Sequence, residues 1–437
     1  MRTMKMESRR GLIVAGVLCA GLPLIAACGG AENTQAPEGA DVTAFEGARL
    51  IVGDESAPIE NATFLVRDGQ ITEVGSTGEI QVPDGATLVN LAGKTVIPGI
   101  IDTHTHLRTD ARETLIEDLQ RRAYYGVVAT ASLGREVGDV PYQIREEAVL
   151  NASRFRFAGR GITMPEPGRS DVPFWVTTEA EARQAIQELA ELNVDIVKIW
   201  VDDRNGMYMK LTPELYGAII DEAHMNGLRV TAHIFNLEDA KGLLRAGLDA
   251  FAHGVRDLDI DDEVVELFGE RPDVVLVPNL PNRGVATDLS WVSETVPAGM
   301  LEKLQAAATD QPEAQEAFGL QARNLTRLSA AGVVVGLGTD GNTPYGAHLE
   351  MEDMVAAGMS PQQVIVAATR NSADLLNLTD LGTVEAGKSA DFVVLDANPL
   401  DDITNSRSIN AVYMRGALVD RAGLRAGWAA GAAGGGE

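Results

Sequence analysis

Between Val96 and Thr339 the chain alternates apolar runs with segments of helical periodicity, and it does so eight times. The runs are Val96–His104, Val127–Leu133, Phe155–Ile162, Ile196–Val201, Arg229–His233, Ala250–His253, Val274–Val277 and Val333–Thr339. Continuous apolar character marks strands covered on both faces, as in parallel sheets. Helical stretches such as Glu179–Leu192, Pro213–Asn226 and Leu237–Ala246 separate them. Repeated β/α units predict an α/β fold, a (β/α)8 TIM barrel of about 250 residues or more, over residues 96–378.

The flanks read differently. Residues 43–95 contain short strands (Ala48–Val52, Thr63–Val66, Ile71–Val74, Thr87–Val89) broken by Asp68-Gly69, Gly75 and Asp84-Gly85. Residues 379–423 repeat this style with Asp391–Asp396 and Ala411–Met414. Together they predict a small β-sandwich domain built from both termini. Residues 424–437 end in a Gly/Ala run and predict a disordered tail.

At the N-terminus Arg2, Lys5, Arg9 and Arg10 precede the apolar run Gly11–Ala27, the pattern of a secretory signal peptide over residues 1–27. Ile25-Ala26-Ala27-Cys28 resembles a bacterial lipobox, which implies cleavage before Cys28 and its lipidation; plain secretion is the alternative. Residues 28–42 form a flexible tether. The expected location is therefore the bacterial cell envelope, with the membrane reached only through a lipid anchor. Both cysteines, Cys19 and Cys28, lie in this leader region, so the body has no disulfide and no Cys-based metal site or nucleophile. Removal of residues 1–27 leaves 32 basic against 62 acidic residues, a net charge of −30. Nucleic acid and anionic surfaces are poor partners for such a body.

Barrel chemistry sits where strands end. Those ends carry His104 and His106, Lys198, His233, His253 and Asp340, and four of the six histidines fall there. An H-x-H pair on a strand places both imidazoles on one face, half of a zinc-type site. Lys198 is flanked by apolar residues in Val197-Lys198-Ile199, and burial pushes such an amine toward neutrality. A neutral amine can take up CO2 as a carbamate able to bridge two metals; an ion pair with Asp195 or Asp202 is the alternative. Asp340 on its own reads as a helix N-cap after a strand, a place that leaves it free for a second role at the strand end. His224, in mid-helix, reads as structural, and His348 reads equally as a pocket-rim group or a surface or capping one. Loop position nominates Arg135, Arg169, Trp200, Tyr208, Asn279 and Arg283 as substrate contacts. Trp200 shares a face with Lys198 by alternation.

The chain resembles the amidohydrolase superfamily, and within it the binuclear prolidase-like carboxypeptidases. The resemblance rests on V-I-P-G-I-I-D-T-H-T-H (96–106), V-K-I (197–199), D-E-A-H-M-N-G-L-R-V-T-A-H (221–233), A-G-L-D-A-F-A-H-G (246–254), G-L-G-T-D-G (336–341) and G-T-V-E-A-G-K-S-A-D-F-V-V-L (382–395). It implies that His104 and His106 bind a first divalent ion, carboxylated Lys198 bridges, His233 and His253 bind a second, and Asp340 serves the first ion and a bridging hydroxide. Zinc suits these donors, with manganese or cobalt as alternatives. The carboxypeptidases carry a histidine in the loop after strand 3; here that loop reads M-P-E-P-G-R-S (164–170).

The implied activity is hydrolysis of amide or peptide-like C–N bonds in small molecules. Esters, lactones or carbamates are alternatives on the same two-metal site. A single-metal hydrolase would leave Lys198 redundant, and a non-catalytic metal-binding lipoprotein would leave Asp340 unused. The long loop 279–297 suits either a lid or a contact between subunits of a homo-oligomer.

Overall fold

The computed structural model describes residue 39 and residues 41–434. The signal sequence, Cys28 and nearly all of the tether lie outside the described residues. The first strand, Val42–Leu50, starts one residue before the predicted domain boundary.

The two ends of the chain meet as expected, but in one hydrogen-bonded eight-stranded sheet rather than as the two separate sheets of a sandwich. Val42–Leu50 pairs with Ile59–Arg67, and Phe392–Leu395 pairs with Thr95–Pro98 and Ile409–Met414. Aromatic packing holds these distant segments together. Phe45 stacks on Phe64 at 4.8 Å between centroids, Phe392 meets both edge-on at 5.1 Å, and Tyr413 stacks on Phe392 at 4.7 Å.

The predicted first barrel strand divides at Pro98-Gly99. Thr95–Pro98 belongs to the terminal sheet and Ile100–Thr105 to a parallel one. Consecutive amides make the transfer: Gly99 N–H donates to Asp391 O at 3.0 Å, and Ile100 N–H to Gly126 O at 3.0 Å. Proline, with no N–H of its own, fits the point where one ladder ends.

The middle is α/β with parallel strands, as predicted, but the strands do not close into one ladder. Ile100–Thr105, Val127–Ser132 and Arg154–Phe157 form a three-stranded parallel sheet. A seven-stranded parallel sheet runs in the order Phe174–Trp175, Ile162–Thr163, Val197–Val201, Val230–Ile234, Ala250–Phe251, Val275–Leu276, Val334–Val335. One interruption falls inside the predicted run Phe155–Ile162. There Gly161 lies so close to Trp200 that a Cβ would sit 2.1 Å from the indole. At the other seam, backbone bonds still join the outer strands: Thr103 N–H donates to Leu337 O at 2.9 Å and His106 N–H to Gly341 O at 3.2 Å.

Helix starts follow local chemistry. Thr178 and Glu181 form a reciprocal capping box for Glu179–Glu191, and Thr212 caps Pro213–Met225. The predicted disordered tail is corrected: Arg421–Gly434 is helical. Alanine favours helix, and Leu424 and Trp428, four residues apart, form an apolar stripe. The Arg121 guanidinium lies 4.4 Å from the Trp428 ring centre, and Leu424 packs on the main core. Among the described residues no helix is long and apolar enough to cross a membrane.

Replacing Phe392 removes the ring shared by strands from both ends of the chain. Phe392→Ala is expected to cost about 3–5 kcal/mol in urea denaturation, the usual range for a buried aromatic. A cost below about 1 kcal/mol would show that the sheet does not rely on this cluster.

Candidate metal centre

The seam between the last and first parallel strands creates the site. Thr339 and Asp340 both donate their backbone N–H to the carbonyl of His104, at 3.0 and 2.8 Å. This places Asp340, in the left-handed region at φ 50°, beside the H-x-H pair. Its Oδ1 lies 3.0 Å from His106 Nε2 and 3.2 Å from His104 Nε2, and its Oδ2 lies 3.7 Å from His253 Nε2. Lys198, with no exposed surface, brings Nζ to 3.3 Å from His104 Nε2. Five of the six predicted ligands therefore converge.

His233 stands against His253, ring centres 4.5 Å apart, but its Nε2 faces Asp202 at 2.9 Å. Arg204 Nη1 donates to the same carboxylate oxygen at 2.6 Å. With Nε2–H given to Asp202, Nδ1 is the nitrogen of His233 able to take a cation, the usual carboxylate–histidine arrangement behind a metal ligand. Asp195 is occupied by Arg156 at 3.3 Å and by the Phe157 N–H at 3.0 Å. Lys198 thus pairs with neither Asp195 nor Asp202.

Desolvation governs the ionisation of this cluster. Burial, with the nearby positive charges of Arg256 and Arg204, pulls Lys198 down to about 7 against the pull of Asp340. Burial and the Lys198 charge take His104 down to about 3, and burial takes His233 down to about 4 and His253 well below its usual value. Burial alone would raise the Asp340 carboxyl, but hydrogen bonds to His104 and His106 and the charges of His104 and His253 hold it far below the carboxylate range. The result is a carboxylate facing the neutral imidazoles of His104 and His253, the protonation state that metal ligation requires.

The donor set fits a divalent cation. Both ring nitrogens of His253 and Nδ1 of His106 are buried without a hydrogen-bond partner, a cost that a bound ion would relieve. Ligand atoms of His104, His253 and Asp340 lie within 4.8 Å of one another. Imidazole and carboxylate suit zinc and its neighbours in the first row.

The nominated substrate contacts divide. The Trp200 ring lies over Gly134 and Gly161, with Lys198 Nζ 5.7 Å from its centre. A Cβ on Gly134 would sit 2.4 Å from the indole and 3.1 Å from Lys198 Cγ, so glycine there makes room for both side chains. Asn279 is buried, with its side-chain amide 2.6 Å from His104 Nδ1 and bonded to Ala252 O; it orients a ligand rather than facing substrate. Arg283 is corrected to an anchor, held by Glu352 and Asp353 at 2.6 Å each. Arg169 pairs with Glu166 at 3.1 Å, and Tyr208 donates to Pro167 O at 3.3 Å, so both brace the loop after the third strand. Arg135 is exposed, and its backbone bridges to Arg160.

The structure also brings in residues that sequence reasoning missed. Glu136 accepts from Ser132 Oγ at 2.7 Å and Gly134 N at 2.9 Å, fixing the loop over Lys198. Arg122, fully buried in the helix Arg112–Tyr124, donates to Gly341 O at 3.3 Å and Asn342 Oδ1 at 3.1 Å, bracing the turn that carries Asp340. Glu350 accepts the Leu280 N–H beside Asn279 at 3.0 Å. No local pattern marks them; each works across elements distant in the chain.

His224 is structural as expected, its Nε2 2.9 Å from Asp249, which also accepts the Val230 N–H. His348 is neither rim nor surface. It is buried between Ser406 Oγ and Tyr125 O, each at 2.9 Å, and burial lowers it to about 4.

The profile of the amidohydrolase family matches residues 95–419, and the chain belongs to that family. Its class is that of metal-dependent hydrolases of C–N bonds. An imidazolonepropionase of Geobacillus sp. (strain WCH70) is 26% identical over 374 residues, covering 77% of this chain and 84% of its own. A Bifidobacterium longum protein assigned as a prolidase has a TM-score of 0.73 at 27% identity, covering 89% of this chain and 99% of its own. Molinate hydrolase, with a TM-score of 0.72 and 24% identity over 88% of this chain and 96% of its own, shares the fold.

Because His348 stays neutral in the fold while a free histidine protonates near 6.5, the unfolded chain binds the extra proton between those values. Its contribution is therefore intact above about pH 6.5 and is lost as pH falls toward 4, a change on the order of 3 kcal/mol. His348→Gln is expected to flatten this part of the stability–pH curve measured by denaturant titration. An unchanged slope would contradict the assignment.

Proposed function

We propose that this protein is a two-metal hydrolase of small amide or peptide-like substrates, with Lys198 acting as its carbamate. The observation that carries the reading is Lys198 itself, an amine with no exposed surface, no carboxylate ion pair among the described residues and a position 3.3 Å from a candidate ligand nitrogen. Its neutral Nζ adds to CO2, forming an N–C bond and releasing one proton, and the resulting anion supplies two oxygens to the centre. His104, His106, the Lys198 carbamate, His233 through Nδ1, His253 and Asp340 would hold two divalent ions, with zinc the best match. Bound there, such a pair would supply activation of water and polarisation of the scissile carbonyl.

The chain's own groups do the remainder. Asp340, fixed by the His104 carbonyl, receives the proton of the attacking water and passes it to the leaving nitrogen. Asn279 orients His104, and Asp202 orients His233. Trp200 covers Lys198 and limits access of water to it.

A second reading is a single-ion hydrolase on the compact group His104, His253 and Asp340, whose ligand atoms lie within 4.8 Å of one another. Elemental analysis separates the two. Two ions per chain in the active enzyme, falling in Lys198→Ala and partly restored by short-chain carboxylic acids, is the expected result. One ion per fully active chain would leave the single-ion reading. Asp340→Asn is expected to lower turnover at least about 1000-fold with the circular dichroism spectrum unchanged. A panel of acyl-amino acids, dipeptides, lactones and aryl esters assigns the bond; turnover of the last two alone would make the enzyme an esterase, and none at all with metal bound would leave a binding lipoprotein.

The leader supports export and lipid anchoring at Cys28, in a bacterial envelope. Cys28→Ser is expected to abolish incorporation of labelled palmitate and release the protein from the membrane fraction. Unchanged labelling would refute the anchor.

A further inference from the structure

We infer that Arg256 is the receptor for an anionic group on the substrate, so that the enzyme acts on amides bearing a carboxylate near the scissile bond. The inference rests on the hydrolase reading above and goes beyond it by naming the substrate class.

Arg256 follows His253 by three residues, on the loop leaving the strand Ala250–Phe251. Both sides of that loop are pinned. Gly254 N–H donates to Pro278 O at 3.3 Å, toward the loop that carries Asn279, and Arg256 N–H donates to Phe235 O at 2.9 Å, two residues past His233. The residue therefore stands beside the ends of the two strands that carry His233 and His253, and it is partly buried. Its charge acts on Lys198, His233 and His253, and Asp202 and Asp340 act on it in turn, in agreement with that placement.

Unlike its neighbours, this arginine has no anion. Among the described residues its side chain forms no hydrogen bond or ion pair, and its Nε is buried without a partner. The acidic groups around the mouth are already engaged. Asp202 holds His233 and Arg204, Glu166 holds Arg204 and Arg169, and Glu136 holds Ser132 and Gly134. Asp340 faces the histidines, and Asp257 accepts the Leu237 N–H at 2.9 Å. Arg204, six residues past Lys198, shows the contrast, with two carboxylates on one guanidinium.

A guanidinium withdrawn from water without a counter-ion is costly, and its planar donors match a carboxylate in a two-point contact. Arg169, on the neighbouring loop Met164–Ser170, is committed to Glu166 at 3.1 Å. An incoming carboxylate would find at Arg256 a partly buried cation with no counter-ion among the described residues.

The test compares N-acetyl-phenylalanine with N-acetyl-phenethylamine, which has the same amide and ring but no carboxylate. In metal-loaded wild type, kcat/KM is expected to favour the acid. In Arg256→Gln it should fall about 100-fold more for the acid than for the neutral amide, chiefly through KM, the size expected for a lost charged hydrogen bond. Arg256→Lys should recover part of the loss. Equal losses on both substrates would overturn the inference and make Arg256 a structural group. If neither substrate is hydrolysed, calorimetric titration of metal-loaded protein with N-acetyl-phenylalanine decides separately. Binding that weakens at least about tenfold in Arg256→Gln sustains the receptor while the hydrolase reading fails; equal affinity, or no binding to wild type, overturns the receptor.

Discussion

One backbone carbonyl organises the centre. His104 O accepts from both Thr339 and Asp340, joining the last strand region to the first where no continuous ladder exists. Two amides on one oxygen hold Asp340 in a left-handed turn that a non-glycine residue adopts only when its surroundings require it. That turn aims the carboxylate at two imidazoles whose own spacing is set by the strand. Arg122 braces the same turn from below through Gly341 and Asn342. The reactive geometry is thus a property of the seam rather than of any one strand.

Desolvation supplies the chemistry that the seam positions. In water Lys198 would be an ammonium and the histidines would titrate near neutrality. In the fold, burial brings the amine to about 7 and keeps His104, His233 and His253 neutral. The same low-polarity setting makes each remaining charge consequential. Asp202, Glu136 and Glu166 are tied to donors, and Arg256 stands out because it is not.

The parallel order of the strands was legible from apolar runs interrupted by helical periods, and the six candidate ligands were legible because they fall where such runs stop. The divisions inside runs were not. Phe155–Ile162 reads as one strand, yet it breaks where Gly161 must pass the Trp200 ring, a contact between segments about forty residues apart. Val96–His104 also reads as one strand, yet Gly99 and Ile100 bond to different sheets. The C-terminal tail reads as disordered by composition, but Trp428 finds Arg121 and Tyr124 on another helix and the segment folds against them.

The sequence by itself determined which side chains are available for chemistry: an H-x-H pair, a lysine in an apolar strand, two later histidines and an aspartate in a glycine-flanked turn. Period and spacing carry that information, because they follow from the geometry of a single strand or helix. Only the tertiary structure decided which groups face one another. It turned His233 Nε2 to Asp202, assigned Asn279 to His104 and Arg283 to an anchor, buried His348, and left Arg256 without a partner. Those outcomes depend on through-space pairing and on how much water each group keeps, and neither is encoded in local spacing.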